Sequence, residues 1–254
     1  MNDNGSVIRK FRDASDAHAA TDSRPTTGRA ITPVTAANAL TPAQLQERAT
    51  IYRSDVVRPE VDAFRELRTR LLAVADGNFV TLVAPVSAGS GGSFVARNLA
   101  AAFAFDTSKR ALLIDCDLRH PSQHKTMRIQ PAGGGLIEYL DDHDTDAADV
   151  IYDTGVARLA LLPAGTSRET GAEYFSSLRM RLLLDSLRSG DPGRYMILDS
   201  PPVRGAPDAR ILADLADVVV LVAGYGCDTP EAIAQAAASF DPGKFAGVVF
   251  NEGA

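Results

Sequence analysis

Three short stretches of this sequence hold residues whose types and order could move a phosphate. The first is Val83-Ala84-Pro85-Val86-Ser87-Ala88-Gly89-Ser90-Gly91-Gly92-Ser93-Phe94. It has the frame of a phosphate-binding loop, G-x-x-x-x-G-K-[ST]. In such a loop backbone N–H groups cradle the phosphates, a lysine reaches the outer ones and a hydroxyl binds Mg²⁺. Ser93 stands where the hydroxyl belongs, and Gly92 stands where the lysine belongs. Gly89, Gly91, Gly92, Ser93 and Phe94 can still offer backbone N–H groups to an anion at a helix N-terminus. They cannot offer the ammonium.

The second stretch is Leu113-Ile114-Asp115-Cys116-Asp117-Leu118-Arg119, an apolar run that releases two carboxylates. Two acids leaving a buried strand are costly unless they bind something. Beside a phosphate loop that something is Mg²⁺ with its waters, or a hydroxyl in need of a base. The bland reading is an acidic strand end solvated in a crevice. The third stretch, Ile197-Leu198-Asp199-Ser200-Pro201-Pro202, closes an apolar run on an aspartate, the pattern that holds a metal through water in nucleotide hydrolases. Alone it is weak, since many strands end in Asp. Behind the other two it gains force.

Such groups meet only if strands and helices alternate to bring them together. Apolar runs at 79–83, 111–115, 158–162, 195–199, 218–223 and 246–250 read as strands buried on both faces. Helical stretches at 94–105, 134–141, 172–189, 207–214 and 229–239 lie between them. The pattern predicts an α/β fold, a doubly wound, mostly parallel sheet with helices on both faces, as in P-loop NTPases. Ligands then bind at the carboxyl ends of the strands. Residues 46–254 are expected to form that domain. Residues 1–45, rich in Ala, Thr, Asp, Ser and Pro, read as a disordered tail. Near its end Thr41 is a plausible N-cap with Pro42 at the first helical position. The stretch 58–74 holds a stronger helix with Val61, Phe64, Leu67, Leu71 and Leu72 on one face.

The formal charge of −6 argues against a nucleic-acid partner, and the two cysteines against a disulfide framework. No apolar run reaches the ~18–20 residues of a membrane span, and the N-terminus has no signal-peptide pattern. A cytoplasmic protein without direct membrane insertion is expected.

Taken together, the motifs resemble the bacterial tyrosine kinases (BY-kinases), a branch of the ATPases related to MinD and ParA. The resemblance covers about residues 58–252. It is carried by Asp62-Ala63-Phe64-Arg65-Glu66-Leu67-Arg68-Thr69, Asn98-Leu99-Ala100, Leu112 to Ser122, Leu162-Pro163-Ala164-Gly165, Ile197 to Pro202 and Gly247-Val248-Val249-Phe250-Asn251. It implies catalytic and metal-side roles for Asp115, Asp117 and Asp199, with Ser93 as a Mg²⁺ ligand and Asn251 against adenine. It implies that Asp62, Arg65 and Arg68, on an E-x-x-R-x-x-R motif, join subunits into a homo-oligomer. It also implies a setting in export of extracellular polysaccharide. There the partner is a membrane copolymerase or chain-length regulator, or an active kinase, and the chain sits at the inner membrane through that partner.

Two further departures accompany Gly92. The sequence ends at Glu252-Gly253-Ala254 without the family's tyrosine-rich tail, and Thr170-Gly171-Ala172-Glu173 replaces the family's N-P-x-E run. ATP or ADP with Mg²⁺ is therefore expected to bind weakly or not at all, and the chain to act as a catalytically impaired regulator or scaffold. The alternative is an active ATP-dependent tyrosine kinase acting on a partner protein. A DNA- or membrane-positioning ATPase is disfavoured by the acidic charge. Arg97, four residues beyond Ser93, is expected at the surface, and Lys109 and Lys125 flank the second strand.

Overall fold

The six apolar runs become six parallel strands, and a two-residue strand joins them at one edge. The computed structural model describes residues 39–252 apart from Asp55 and Ala206, and the segment 1–38 of the expected tail lies outside the described residues. In chain order the strands are β1 (Val80–Pro85), β2 (Arg110–Asp115), β3 (Tyr152–Asp153), β4 (Leu159–Leu162), β5 (Arg194–Asp199), β6 (Val218–Gly224) and β7 (Phe245–Asn251). Their order across the sheet is β3-β4-β2-β5-β1-β6-β7. Only β3 runs antiparallel, against β4. It has no sequence signal because two residues cannot show a period.

The helices are α1 (Pro42–Glu47), α2 (Pro59–Val74), α3 (Gly92–Ala104), α4 (Gln123–Thr126), α5 (Leu136–Asp141), α6 (Ala172–Phe175), α7 (Leu178–Gly190), α8 (Asp208–Leu215) and α9 (Pro230–Ala237). Thr41 caps α1 through its side chain, with Pro42 in the first turn. The single helix expected over 172–189 is two. The Ser176-Ser177 pair interrupts it, and the Ser177 hydroxyl accepts from the Met180 N–H to start α7. Serine competes for backbone partners and so favours a cap over a helix interior. The helix expected from Phe94 begins at Gly92, so the phosphate loop feeds straight into α3.

Each face of the sheet has its own core. On one side Val80, Leu82, Leu112, Ile114, Met196 and Leu198 pack against α5, α7, α8 and α9. On the other, Val83, Leu113, Ile197 and Val220 pack against α2 and α3. The apolar stripe of α2 buries Val61, Phe64 and Leu71 there, as its spacing predicts. Helix α3 is sandwiched so completely that most of its length is buried. The consequence for function is geometric. Strands β2, β5 and β1 are adjacent, so the loops that follow β1, β2 and β5 open into one crevice.

Candidate nucleotide site

The register of the sheet sets the site. Asp115 and Asp199 end neighbouring parallel strands as direct register partners, and both are fully buried. Asp115 is surrounded by main-chain donors: the N–H groups of Ser122 and Gln123 reach Oδ2 at 3.1 and 3.0 Å, and that of Asp117 reaches Oδ1 at 3.3 Å. Burial nevertheless pushes its carboxyl well above the usual carboxylate range, and the facing Asp199 adds to this. Asp199 is pushed up to about 6, chiefly by burial, against the pull of Gln123 and of the nearby Ser93 hydroxyl.

One side chain that the sequence reading overlooked organises this pair. Gln123, fully buried at the start of α4, donates from Nε2 to Asp199 Oδ2 at 2.6 Å and to the Ser93 carbonyl at 2.9 Å. Its Oε1 accepts from Arg97 at 3.0 Å. Arg97 is therefore no surface residue. It is 4% exposed, and burial lowers its guanidinium to about 10. The Asp115-Cys116-Asp117-Leu118 run signals a site, but a glutamine eight residues downstream gives no such cue. Replacing Gln123 by Leu is expected to cost about 1–3 kcal/mol by leaving Asp199 and Arg97 short of buried partners. A urea denaturation midpoint equal to wild type would show that they re-pair without it.

The phosphate loop is shaped as its glycines predict. Gly89 and Gly91 have φ of 88° and 87°, and Gly91 is the left-handed N-cap of α3. The Ser90 hydroxyl bonds Asp228 at 2.6 Å, latching the loop to the turn after β6. Gly92 is different. Its backbone is helical, so φ would allow any residue. A Cβ placed there would lie 2.7 Å from Cδ and Cγ of Pro85 and 2.9 Å from its Cβ. The proline ring thus fills the space from which a lysine would start. Proline is tolerated at this point of β1 because β5 stops pairing two residues earlier, at Val83↔Asp199.

Beyond the loop lies a cavity of about 500 Å³. Gly89, Gly91, Gly92, Ser93 and Phe94 of the phosphate loop line it, together with Asp117 after β2 and Ser200, Pro201 and Pro202 after β5. Asp199 Oδ1 is buried with no hydrogen-bond partner. An orphaned carboxylate oxygen close to a loop hydroxyl fits Mg²⁺, which keeps most of its waters and takes one or two carboxylates plus phosphate oxygens. Ser93 and Asp199 would hold it, with Asp115 already engaged by backbone. When bound, the ion would neutralise phosphate charge.

Comparison with known proteins follows the same lines. No protein-family model matches the chain. The tyrosine-protein kinase Wzc of Salmonella typhimurium is 30% identical over 197 residues, which take in 75% of this chain and 26% of Wzc. The tyrosine-protein kinase CpsD of Streptococcus agalactiae is 26% identical over 191 residues, 74% of this chain and 82% of CpsD. The BceF tyrosine kinase domain superposes with a TM-score of 0.68 at 29% identity, covering 88% of this chain and 92% of that domain. The chain is a homologue of the bacterial tyrosine kinases. It spans about a quarter of Wzc, at 26% of its length.

Against that family's pattern the remaining candidates fall as follows. Asp62 and Arg65 pair with each other at 2.9 Å on the exposed face of α2. Arg68 donates to the Ala102 carbonyl of α3 at 2.8 Å. Asn251, at the end of β7, donates to the Ser90 carbonyl at 3.3 Å and packs over Gly91, outside the residues that line the cavity. The Asn98 of the Asn98-Leu99-Ala100 run clamps the segment entering α2: it accepts from the Ile51 N–H at 2.7 Å and donates to the Ala49 carbonyl. Lys109 is paired with Asp106, and neither it nor Lys125 lines the cavity. Among the described residues no helix is long and apolar enough to cross a membrane.

Proposed function

We propose that this chain is a BY-kinase-like regulator or scaffold of extracellular polysaccharide assembly, with its phosphotransfer chemistry impaired. The observation that carries the reading is the Pro85 ring in the space of the missing lysine side chain. Substituting the lysine alone would be a one-residue loss. Closing its starting volume with a rigid ring makes the loss part of the packing. Phosphoryl transfer is catalysed almost entirely by positioning and electrostatic stabilisation, so the absent ammonium weighs most at the transition state.

In this reading the chain works at the cytoplasmic face of the inner membrane through a membrane copolymerase or beside an active kinase. Asp62, Arg65 and Arg68 on α2 would serve contacts between copies, after the Asp62–Arg65 pair opens and Arg68 leaves the Ala102 carbonyl. An exposed pair of this kind is worth only about 0–1 kcal/mol, so it is no barrier to re-pairing across an interface.

The test is phosphotransfer from labelled ATP by the purified chain, to itself and to a tyrosine-containing copolymer, with Asp115→Asn alongside. Equal, background incorporation by both is expected. Incorporation by wild type that disappears in Asp115→Asn would establish the second reading, an active kinase acting on a partner. That second reading draws on the Asp199 Oδ1 left without a hydrogen-bond partner and on Ser93, which in that reading would hold the metal ion.

A further inference from the structure

A loop that cradles phosphates without a lysine must draw positive charge from another wall of the cavity. Arg97 does not supply it, because its guanidinium is spent on Gln123 and on the Ser93 and Ala49 carbonyls, behind the loop. Two other arginines do line the cavity, Arg119 after β2 and Arg204 after β5. Arg119 lies in the Leu112–Ser122 run already discussed. Arg204 lies just beyond the Asp199-Ser200-Pro201-Pro202 run, in a stretch that carried no expectation.

The main chain fixes where Arg204 stands. The Val203 N–H donates to the Pro85 carbonyl at 2.9 Å, and the Arg204 N–H to the Val86 carbonyl at 3.3 Å. The loop after β5 is therefore stitched to the opening of the phosphate loop, at the same Pro85 whose ring closes position 92. The charge of Arg204 also reaches Asp228, the residue that latches Ser90. Its side chain is exposed. Five residues before Arg204, at the end of β5, Asp199 Oδ1 is buried with no hydrogen-bond partner.

We propose that Arg204 replaces the absent lysine from the loop after β5, so that the cavity binds the Mg²⁺-bound diphosphate chain of a nucleotide. This rests on the phosphate-loop reading above but not on the absence of catalysis. A guanidinium presents a planar fork of donors suited to phosphate oxygens, and its stem here starts on a loop fixed by two backbone bonds. It can hold a ground-state phosphate chain without standing where the lysine would meet the transferring group. Binding without turnover is the expected property of such a site, and it suits a scaffold whose shape is set by nucleotide.

The experiment is calorimetric titration of the full chain with Mg·ADP, with Arg204→Leu and Arg204→Lys in parallel and inorganic pyrophosphate as competitor. Wild type is expected to bind, Arg204→Leu to lose roughly 10- to 150-fold in affinity, and Arg204→Lys to recover part of it. Pyrophosphate is expected to compete, because the arginine reads the phosphate chain and not the base. Arg204→Leu binding as tightly as wild type, or pyrophosphate failing to compete, overturns the proposal. A wild type silent toward Mg·ADP also overturns it, and leaves the scaffold reading standing. Phosphotransfer by the purified chain would do the reverse.

Discussion

Gly92→Lys alone is expected to leave Mg·ADP binding no tighter and to destabilise the fold by about 1–3 kcal/mol, the usual cost of overpacking a filled site. Pro85→Gly combined with Gly92→Lys is expected to tighten binding by roughly 10- to 150-fold over wild type. The difference comes from the Pro85 ring. A Cβ at position 92 meets three of its carbons at 2.7–2.9 Å, and none of them can rotate away because the ring is closed. Removing the ring opens that volume, and position 92 already has the helical backbone that a lysine needs. It also returns an N–H to a strand end where β5 no longer pairs, so the change asks little of the sheet. Titration with Mg·ADP and urea denaturation of the two variants would check this. If the single Gly92→Lys chain binds as tightly as the double and is as stable as wild type, Pro85 is no obstacle and the proposed coupling of the two positions falls.

That coupling shows what the sequence can and cannot disclose. The loss of the lysine is legible, because the motif fixes its position. Its tie to a residue seven places earlier is not, because Pro85 in isolation is merely an odd residue at a strand end. The strands themselves, and the placing of Asp115 and Asp199 at carboxyl ends of the sheet, follow from apolar runs that each close on an acid, whereas the order of the strands is set by the fold. Long continuous runs carry that signal well. The error over Arg97 has a physical source too. Helical spacing locates a side chain on a face but does not say what lies above it, and here α4, four residues long, covers it with Gln123. A helix that short has no period to read. Arg204 escaped notice for the same kind of reason. A loop arginine gains meaning only when the sheet order places β5 beside β1, and the main chain then ties Val203 and Arg204 to Pro85 and Val86.

The second large effect concerns stability in the absence of metal. Asp199→Asn is expected to be more stable than wild type at neutral pH by up to about 3 kcal/mol, with the advantage fading toward pH 4. Burial holds the Asp199 carboxyl at about 6, above its ordinary 3.8. Between those values the folded chain keeps a proton that the unfolded chain has lost. Stability is then greatest below the lower value and falls as pH rises through the upper one. Asp115, raised by burial and by its neighbour, adds in the same direction. The amide removes the ionisation at position 199 and keeps an oxygen to accept from Gln123 Nε2. Chemical denaturation of both chains in chelator, from acid to neutral pH, would show the gap opening as pH rises. Parallel curves for the two chains would mean that Asp199 titrates normally in the fold. Adding Mg·ADP should then reverse the order, since the ion would stabilise the paired carboxylates of wild type and find one ligand fewer in the variant. A site that costs stability when empty and returns it when filled is what a nucleotide-set scaffold requires, and it gives a reason for two buried acids to persist beside a loop without its lysine.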